Sequence, residues 1–570
     1  MACGPLKLCS ILVEPDLSRH SSAFPRRIPV VGSTARRLST LFFEGERGAP
    51  LALVLLVLYA TFRAVVTCVS SPLTFDDIFT INMARQPGLA ALLRALWHGV
   101  DSQPPLFDLV ERVGSLMPKA EVGYRLPSVV AFDGMLICVY EFVRHRAGGV
   151  AGVVCAALLL LTPLYTSYAT AARPYCLAAA CIAAALLAYQ RASSRRWIVL
   201  MALALAAADC LHYLSIFAII PMAATEMIRS RRARSIRIGV WAALVAGAAP
   251  LAVFWPLLAH FRQVFGGHFW AKPTAAALYH LFGNSLGLPG FWGFAVVALC
   301  ACALLEPLVL PRRGQENAEA AAADGGAEYD RILVFFVLVS PLIYFAAARL
   351  FHGPFDDRYI VSSMLAFPLA LGLILITLNR RMALALALLV LCALASNEAS
   401  FWHAESANFF RTPSPAAEAE EMIDNSGYAG LPVVISDSHD YLQITWYASP
   451  PLKSRLVWTA DPAEADKYAG FDTDDRNLPL LATVADLKVR ALRSYIATHA
   501  EFLLYWAPGG EHGWLPGVLA RDGCSVTVLT SAPDHFLFLV SRSGNALKDV
   551  QEAPARPEII TSQAAPLPAS

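Results

Sequence analysis

The sequence predicts an all-α polytopic membrane domain of about eleven transmembrane helices, followed by a C-terminal periplasmic α/β domain. Three observations predict it. Of the 570 residues, 56% are hydrophobic and only 16% charged, and the mean hydropathy is +0.51, a balance that soluble chains do not show. Apolar runs of roughly spanning length recur between residues 49 and 397. From 398 onward the pattern turns to short β-rich stretches, with 22 Asp+Glu against 12 Lys+Arg.

The same figures remove other classes. Disorder, coiled coil, collagen and a disulfide scaffold each need a charge, repeat or cysteine pattern that this chain lacks. With 45 Lys+Arg against 44 Asp+Glu, there is no basic surplus to hold a nucleic acid. Most of the 12 cysteines lie in apolar runs and no CxxC pair occurs, so neither a disulfide framework nor a zinc site is expected.

Residues 1–48 carry scattered basic residues and no compact apolar core before a small-residue cleavage site, which predicts a disordered cytoplasmic leader rather than a signal peptide. The helices are expected near 49–70, 124–143, 149–166, 174–190, 197–211, 213–228, 238–258, 286–311, 332–350, 358–378 and 382–397. Basic clusters at 144–146, 191–196, 229–237, 311–313 and 379–381 all fall on one side. By the positive-inside rule that side is cytoplasmic, which suits a bacterial inner membrane with the N-terminus inside. The segments 71–123, 259–285 and 351–357, and everything after 398, then face outward. In 398–544, strands are read at 432–436, 501–506, 525–529 and 535–541, and helical patterns at 483–499 and 514–521. The Ala/Pro-rich tail 545–570 reads as disordered.

The outward segment 71–123 is long for a plain connection. It opens with Phe75-Asp76-Asp77 directly after the first helix. Two adjacent carboxylates at a lipid–water boundary suit acid/base or cation chemistry; a helix cap at Thr74 or Asp76 is the plainer alternative. The segment continues with Asp101-Ser102-Gln103-Pro104-Pro105-Leu106-Phe107 and closes on Tyr124-Arg125-Leu126-Pro127-Ser128.

This ordered set resembles the membrane glycosyltransferases of the type C fold, in particular bacterial family 39, the protein mannosyltransferase-like and aminoarabinose transferase-like enzymes. Ala172-Arg173-Pro174-Tyr175 resembles the family's Ala-Arg-x-Tyr element, His212-Tyr213 its His-Tyr pair, and Arg358-Tyr359 the Arg-Tyr that opens a later helix. The resemblance covers roughly 50–400. It implies a type C membrane domain, a polyprenyl-phosphate-linked sugar as donor, inversion at the anomeric carbon, and an envelope acceptor (lipid A, glycan or protein). Nucleotide sugars are cytoplasmic, so an outward site requires a donor already carried across the membrane.

By the resemblance, Asp76 is the base and Asp77 orients the acceptor or a cation. Arg173 and Arg358 are candidates for the phosphate, since a guanidinium stays charged and pairs with phosphate oxygens, and His212 can add a hydrogen bond. Asp101, Gln103, Arg125, Tyr175, Asp209, Tyr213 and Tyr359 complete the expected substrate-binding set. Helix-end arginines also snorkel, and a His-Tyr pair also anchors at interfaces. Asp133 and Glu226, costly in lipid, are read as structural. Gln103 stands where family members commonly have His, and Asp77 where they have Glu. Glutamine cannot titrate, so no metal ligand is assigned and a divalent cation stays open as cofactor. In the C-terminal region Asp437-Ser438-His439-Asp440 follows a strand, where α/β folds collect ligand residues. The competing class is a transporter or flippase of lipid-linked sugars, but no matching halves are visible.

Overall fold

The computed structural model describes residues 48–265, 269–309, 318–408 and 414–542. The expected leader up to residue 47, the arginines at 312–313 and the tail after 544 lie outside the described residues. Each of the eleven apolar runs meets a helix, but the helices differ in reach. Among the described residues six are long and apolar enough to cross a membrane: Ala49–Ser70, Ala120–Ala147, Ile238–Phe265, Gly326–Phe351, Asp357–Leu375 and Arg380–Ser406. Two bent pairs bring the number to eight if each is one span: Gly149–Leu161 with Pro163–Ala169, and Ala275–Leu286 with Phe291–Glu306, both bent by 77°. The chain is thus a multi-pass membrane protein. Tyr175–Gln190, Arg195–Leu211 and Ile219–Ala233 have 16, 17 and 15 residues, about 22–26 Å at 1.5 Å per residue, short of a ~30 Å hydrocarbon core.

The Ala-rich helix Tyr175–Gln190 is the most deeply buried of these, because small side chains let neighbouring backbones approach. The same logic holds at Gly247, where a Cβ would stand 2.5 Å from Leu205 Cβ, and at Gly372, where it would stand 2.6 Å from Val143 Cγ1. The sequence reading needs one correction in this region. The stretch 259–285 is not an open connection: helix Ile238–Phe265 extends into it and Ala275–Leu286 is helical. The run read as one helix over 286–311 begins at a turn, with Gly287 at φ +65° and Gly290 at φ +44°. Hydropathy is blind to such a turn, because its left-handed backbone is set by glycine rather than by polarity.

We label α1 Ala49–Ser70, α2 Phe75–Ala84, α3 Arg380–Asn408 and α4 Ser438–Tyr447. Helix α3 continues past the expected end of the membrane domain at 397 and is clasped to α1. Arg63 Nε lies 3.0 Å from Glu398 Oε2, Tyr59 donates to the same carboxylate, and Trp402 Nε1 donates to Tyr59 at 2.9 Å. Asp133 accepts from Thr61 Oγ1 at 2.7 Å, and Glu226 pairs with Arg237, so both serve the structure.

The C-terminal region folds as an α/β domain around a six-stranded sheet in the order β3-β2-β1-β4-β6-β5. Strands β1 (Val433–Ile435), β2 (Leu456–Ala460), β3 (Val489–Ala491) and β4 (Glu501–Trp506) are parallel; β5 (Cys524–Ser531) and β6 (Phe536–Arg542) close one side antiparallel. β2 was not among the strands read from the sequence, although Trp458 within it is fully buried. The helical pattern at 483–499 is corrected to β3 followed by the short helix Leu492–Thr498. A three-residue strand is too short for a period-2 pattern to register. The chain moves from β1 to β2 on one side and later returns to β4 on the other, so a crevice opens at the carboxyl ends of β1 and β4.

Candidate active site

Helix α2 starts on a capping box. Thr74 Oγ1 accepts from Asp77 N at 3.3 Å and Asp77 Oδ2 accepts from Thr74 N at 3.0 Å. Adjacent carboxylates at the start of a helix point to different sides, and this separates the roles of Asp76 and Asp77. Asp77 is fully buried. Its Oδ2 also accepts from Arg125 Nε and Nη2 at 3.2 and 2.7 Å, and its Oδ1 from Ala172 N at 2.7 Å. Arg125 spends its remaining donors on the carbonyls of Ser71 and Pro72, at 2.8 and 2.7 Å. Four of the five Arg125 N–H groups and both Asp77 oxygens are thus committed to contacts within the protein. The pair, expected to touch substrate, bolts α2 to the segments at 71–72 and 172.

Asp76 keeps an open face, with 37% of its side chain exposed. Arg358 Nη1 lies 3.2 Å from its Oδ2 and Arg173 Nη2 3.8 Å from its Oδ1. Arg173 also donates to Thr80 Oγ1 at 2.9 Å and to Tyr175 OH at 3.4 Å. Among the described residues its buried Nε has no hydrogen-bond partner. Arg358 is set by Asp356, 3.0 Å from its Nε, and lies over the Trp270 ring at 4.9 Å. Burial alone would raise the Asp76 carboxyl, but the guanidiniums of Arg173 and Arg358 hold it below the usual carboxylate range. Burial works against the Arg173 charge, and Asp76, Tyr175 and Asp101 together outweigh it.

An aromatic wall stands behind the arginines. His212 packs between Tyr175 and Tyr359, at ring distances of 5.3 and 5.6 Å. The backbone makes this placement: helix Arg195–Leu211 stops at Leu211, and His212 is extended at φ −155° before the turn Tyr213–Ala218. Tyr213 lies within electrostatic reach of Asp101 and Asp108. Asp209, buried one turn before His212, leaves Oδ2 without a hydrogen-bond partner, and no contact joins it to Asp76.

Asp101 is buried beside Arg173. Its Oδ1 accepts from the backbone N–H of Ser102 and Gln103 at 2.6 and 3.2 Å, while its Oδ2 is unpartnered. Burial raises its carboxyl. Gln103 thus contributes a backbone donor, and its side chain is buried. Two residues escaped the sequence reading. Asp108 and Glu111 are 1% and 0% exposed, with Asp108 Oδ2 and both Glu111 oxygens unpartnered. Burial and the neighbouring carboxylates push both well above the ordinary range, which favours neutral acids. Their spacing, i and i+3 on helix Leu106–Glu111, was the available signal. Among the described residues no three His, Cys, Asp or Glu side chains are gathered as a metal ion would require, and the groups facing Asp76 are cations.

Residues 102–260 match the family described as dolichyl-phosphate-mannose-protein mannosyltransferase. The match covers 159 of the 570 residues and relates that stretch of the chain to the family. The matched stretch carries Gln103, Arg125, Arg173 and His212, while Asp76, Asp101 and Arg358 lie outside it. No curated protein sequence matches. Solved structures similar to this chain include ArnT from Cupriavidus metallidurans in the apo state, at 14% identity and TM-score 0.44, covering 86% of this chain and 98% of that one. They also include the Archaeoglobus fulgidus oligosaccharyltransferase in the apo form, at 12% identity and TM-score 0.43, covering 87% and 75%.

Proposed function

We propose that this chain moves a hexosyl or pentosyl group from a polyprenyl-phosphate donor to a hydroxyl of an envelope lipid, glycan or protein. The reaction is an inverting displacement on the periplasmic face of the bacterial inner membrane. The reading uses eleven spans, the N-terminus inside and the C-terminal α/β domain outside. One observation carries it: two arginines distant in sequence converge on Asp76, and Arg173 retains a buried, unused N–H. That is the donor set of a phosphate site whose charge Asp76 shares.

The chemistry follows from the geometry. Donor phosphate takes the hydrogen bonds of Arg173 and Arg358 and is steadied against His212, Tyr175 and Tyr359. Asp76 loses its cationic partners to the phosphate and regains basicity. The acceptor oxygen then attacks the anomeric carbon, its proton passes to Asp76, and the bond from that carbon to the phosphate oxygen breaks. The two guanidiniums stabilise the charge left on the polyprenyl phosphate. No step is routed through a cation. A flippase of lipid-linked sugars could use the arginines, but it has no use for a carboxylate held between them.

The test is binding of undecaprenyl phosphate to the purified chain. Arg173→Gln and Arg358→Gln should each weaken it about tenfold or more; unchanged affinity in both would contradict the phosphate assignment.

A further inference from the structure

The carboxyl-end crevice of the C-terminal domain opens beside α2. Asp437, just after β1, caps α4: its Oδ1 accepts from His439 N and Asp440 N at 2.9 and 3.2 Å. Its Oδ2 accepts from Glu511 N, on the loop after β4, at 3.2 Å. A side chain at Gly510 would meet that oxygen at 2.6 Å, so glycine keeps the two loops joined. Ser438 Oγ lies 2.7 Å from Asp474 Oδ2 and 2.8 Å from Glu511 Oε2. One hydroxyl proton cannot serve both, so one carboxyl carries a proton; burial and Asp474 raise Glu511 accordingly.

This assembly places His439 against the reaction centre. Its ring packs on Phe75, the residue before Asp76, at 4.6 Å, while 60% of its side chain stays exposed. Its Nδ1 faces Asp437 Oδ1 at 3.6 Å. The placement is fixed by α4, whose Gln443 Nε2 donates to Leu73 O at 2.8 Å. Tyr447 OH accepts from Leu73 N at 2.8 Å and donates to Glu121 at 3.0 Å.

We propose that His439 is an acceptor-binding residue of the transferase site, an imidazole supplied by the C-terminal domain that holds the acceptor's hydroxyl-bearing group against Asp76. The inference rests on the glycosyltransferase reading above and adds the acceptor side to it. Arg173 and Arg358 take the donor phosphate on the membrane side, and His439 takes the acceptor on the other. The carboxylates facing it are Asp437, Asp474 and Asp76, so the acceptor group that fits is an uncharged glycan hydroxyl; a phosphorylated headgroup would be repelled.

The test uses the full chain in lipid nanodiscs, with undecaprenyl-phosphate sugars as donors and envelope glycan extract, native or dephosphorylated, as acceptor. His439→Ala should lower transfer about 10- to 100-fold through the acceptor KM and leave undecaprenyl phosphate binding within about twofold; His439→Gln should recover part of the loss. Dephosphorylated extract should serve at least as well as native extract, and a requirement for phosphate would overturn the acceptor class. Transfer by His439→Ala at the wild-type rate would overturn the inference and leave the glycosyltransferase standing. Loss of undecaprenyl phosphate binding together with transfer, unrescued by glutamine, would reduce His439 to a scaffold role. Absence of transfer by wild type from every donor would remove the glycosyltransferase reading and this inference with it.

Discussion

Arg358 reaches Asp76 across 282 residues of sequence, its Nη1 3.2 Å from the carboxylate Oδ2. The contact joins the start of α2 to the start of the span Asp357–Leu375. In the proposed reaction it is temporary, because the carboxylate occupies guanidinium protons that a donor phosphate would claim.

Removing the carboxylate should therefore tighten phosphate binding. Asp76→Asn is expected to raise undecaprenyl phosphate affinity roughly two- to fivefold, the scale of one partly exposed ion pair, while Arg173→Lys lowers it by losing the planar fork. Titration of the purified variants by isothermal calorimetry reads both signs.

Asp77 and Arg125 should behave in the opposite way, through stability. Their side chains are 0% and 3% exposed, so Asp77→Ala or Arg125→Leu leaves a buried charge unpaired at about 3–5 kcal/mol. The double variant should lose less than the sum of the two. Thermal unfolding of the four proteins in one detergent measures the coupling, and additive losses would show that the pair does not act as a unit.

His535 makes the C-terminal domain pH-sensitive. Its Nδ1 is 2.7 Å from Glu418 Oε1 and its Nε2 3.1 Å from Asp440 Oδ2. The hydrogen bond to Asp440 raises the imidazole above its ordinary value, against some burial and with help from Glu418. The stabilisation is thus fully present below about pH 6.5 and is lost as pH rises through the folded-state value. Wild type should lose of the order of 1 kcal/mol between pH 6 and pH 9 that His535→Gln does not lose, seen as a pH-dependent gap between their unfolding temperatures.

Much of this arrangement was legible in the sequence, and its gaps have physical causes. Hydropathy located eleven runs that each meet a helix, since burial in lipid demands continuous apolar stretches, but it missed the helix Ala275–Leu286 and could not see the glycine turn at 287–290. Motif order brought Asp76, Arg173, Tyr175, His212, Arg358 and Tyr359 to one place. It gave both Asp76 and Asp77 direct roles, because adjacent residues of the same chemistry differ only in the side of the helix they face. Trp270 was invisible for want of a motif, and Asp108 and Glu111 left no trace beyond their i, i+3 spacing. His439 was visible as a polar loop after a strand, but its approach to Phe75 depends on how α4 docks on residue 73, which no local pattern encodes.

The most direct test of the central claim is turnover of a panel of undecaprenyl-phosphate sugars by the purified chain with envelope extract, wild type against Asp76→Asn, reading released undecaprenyl phosphate by mass spectrometry. The account predicts that wild type consumes one donor and that Asp76→Asn slows this by about 10²–10⁴-fold while still binding undecaprenyl phosphate. Undiminished turnover by Asp76→Asn would contradict the account.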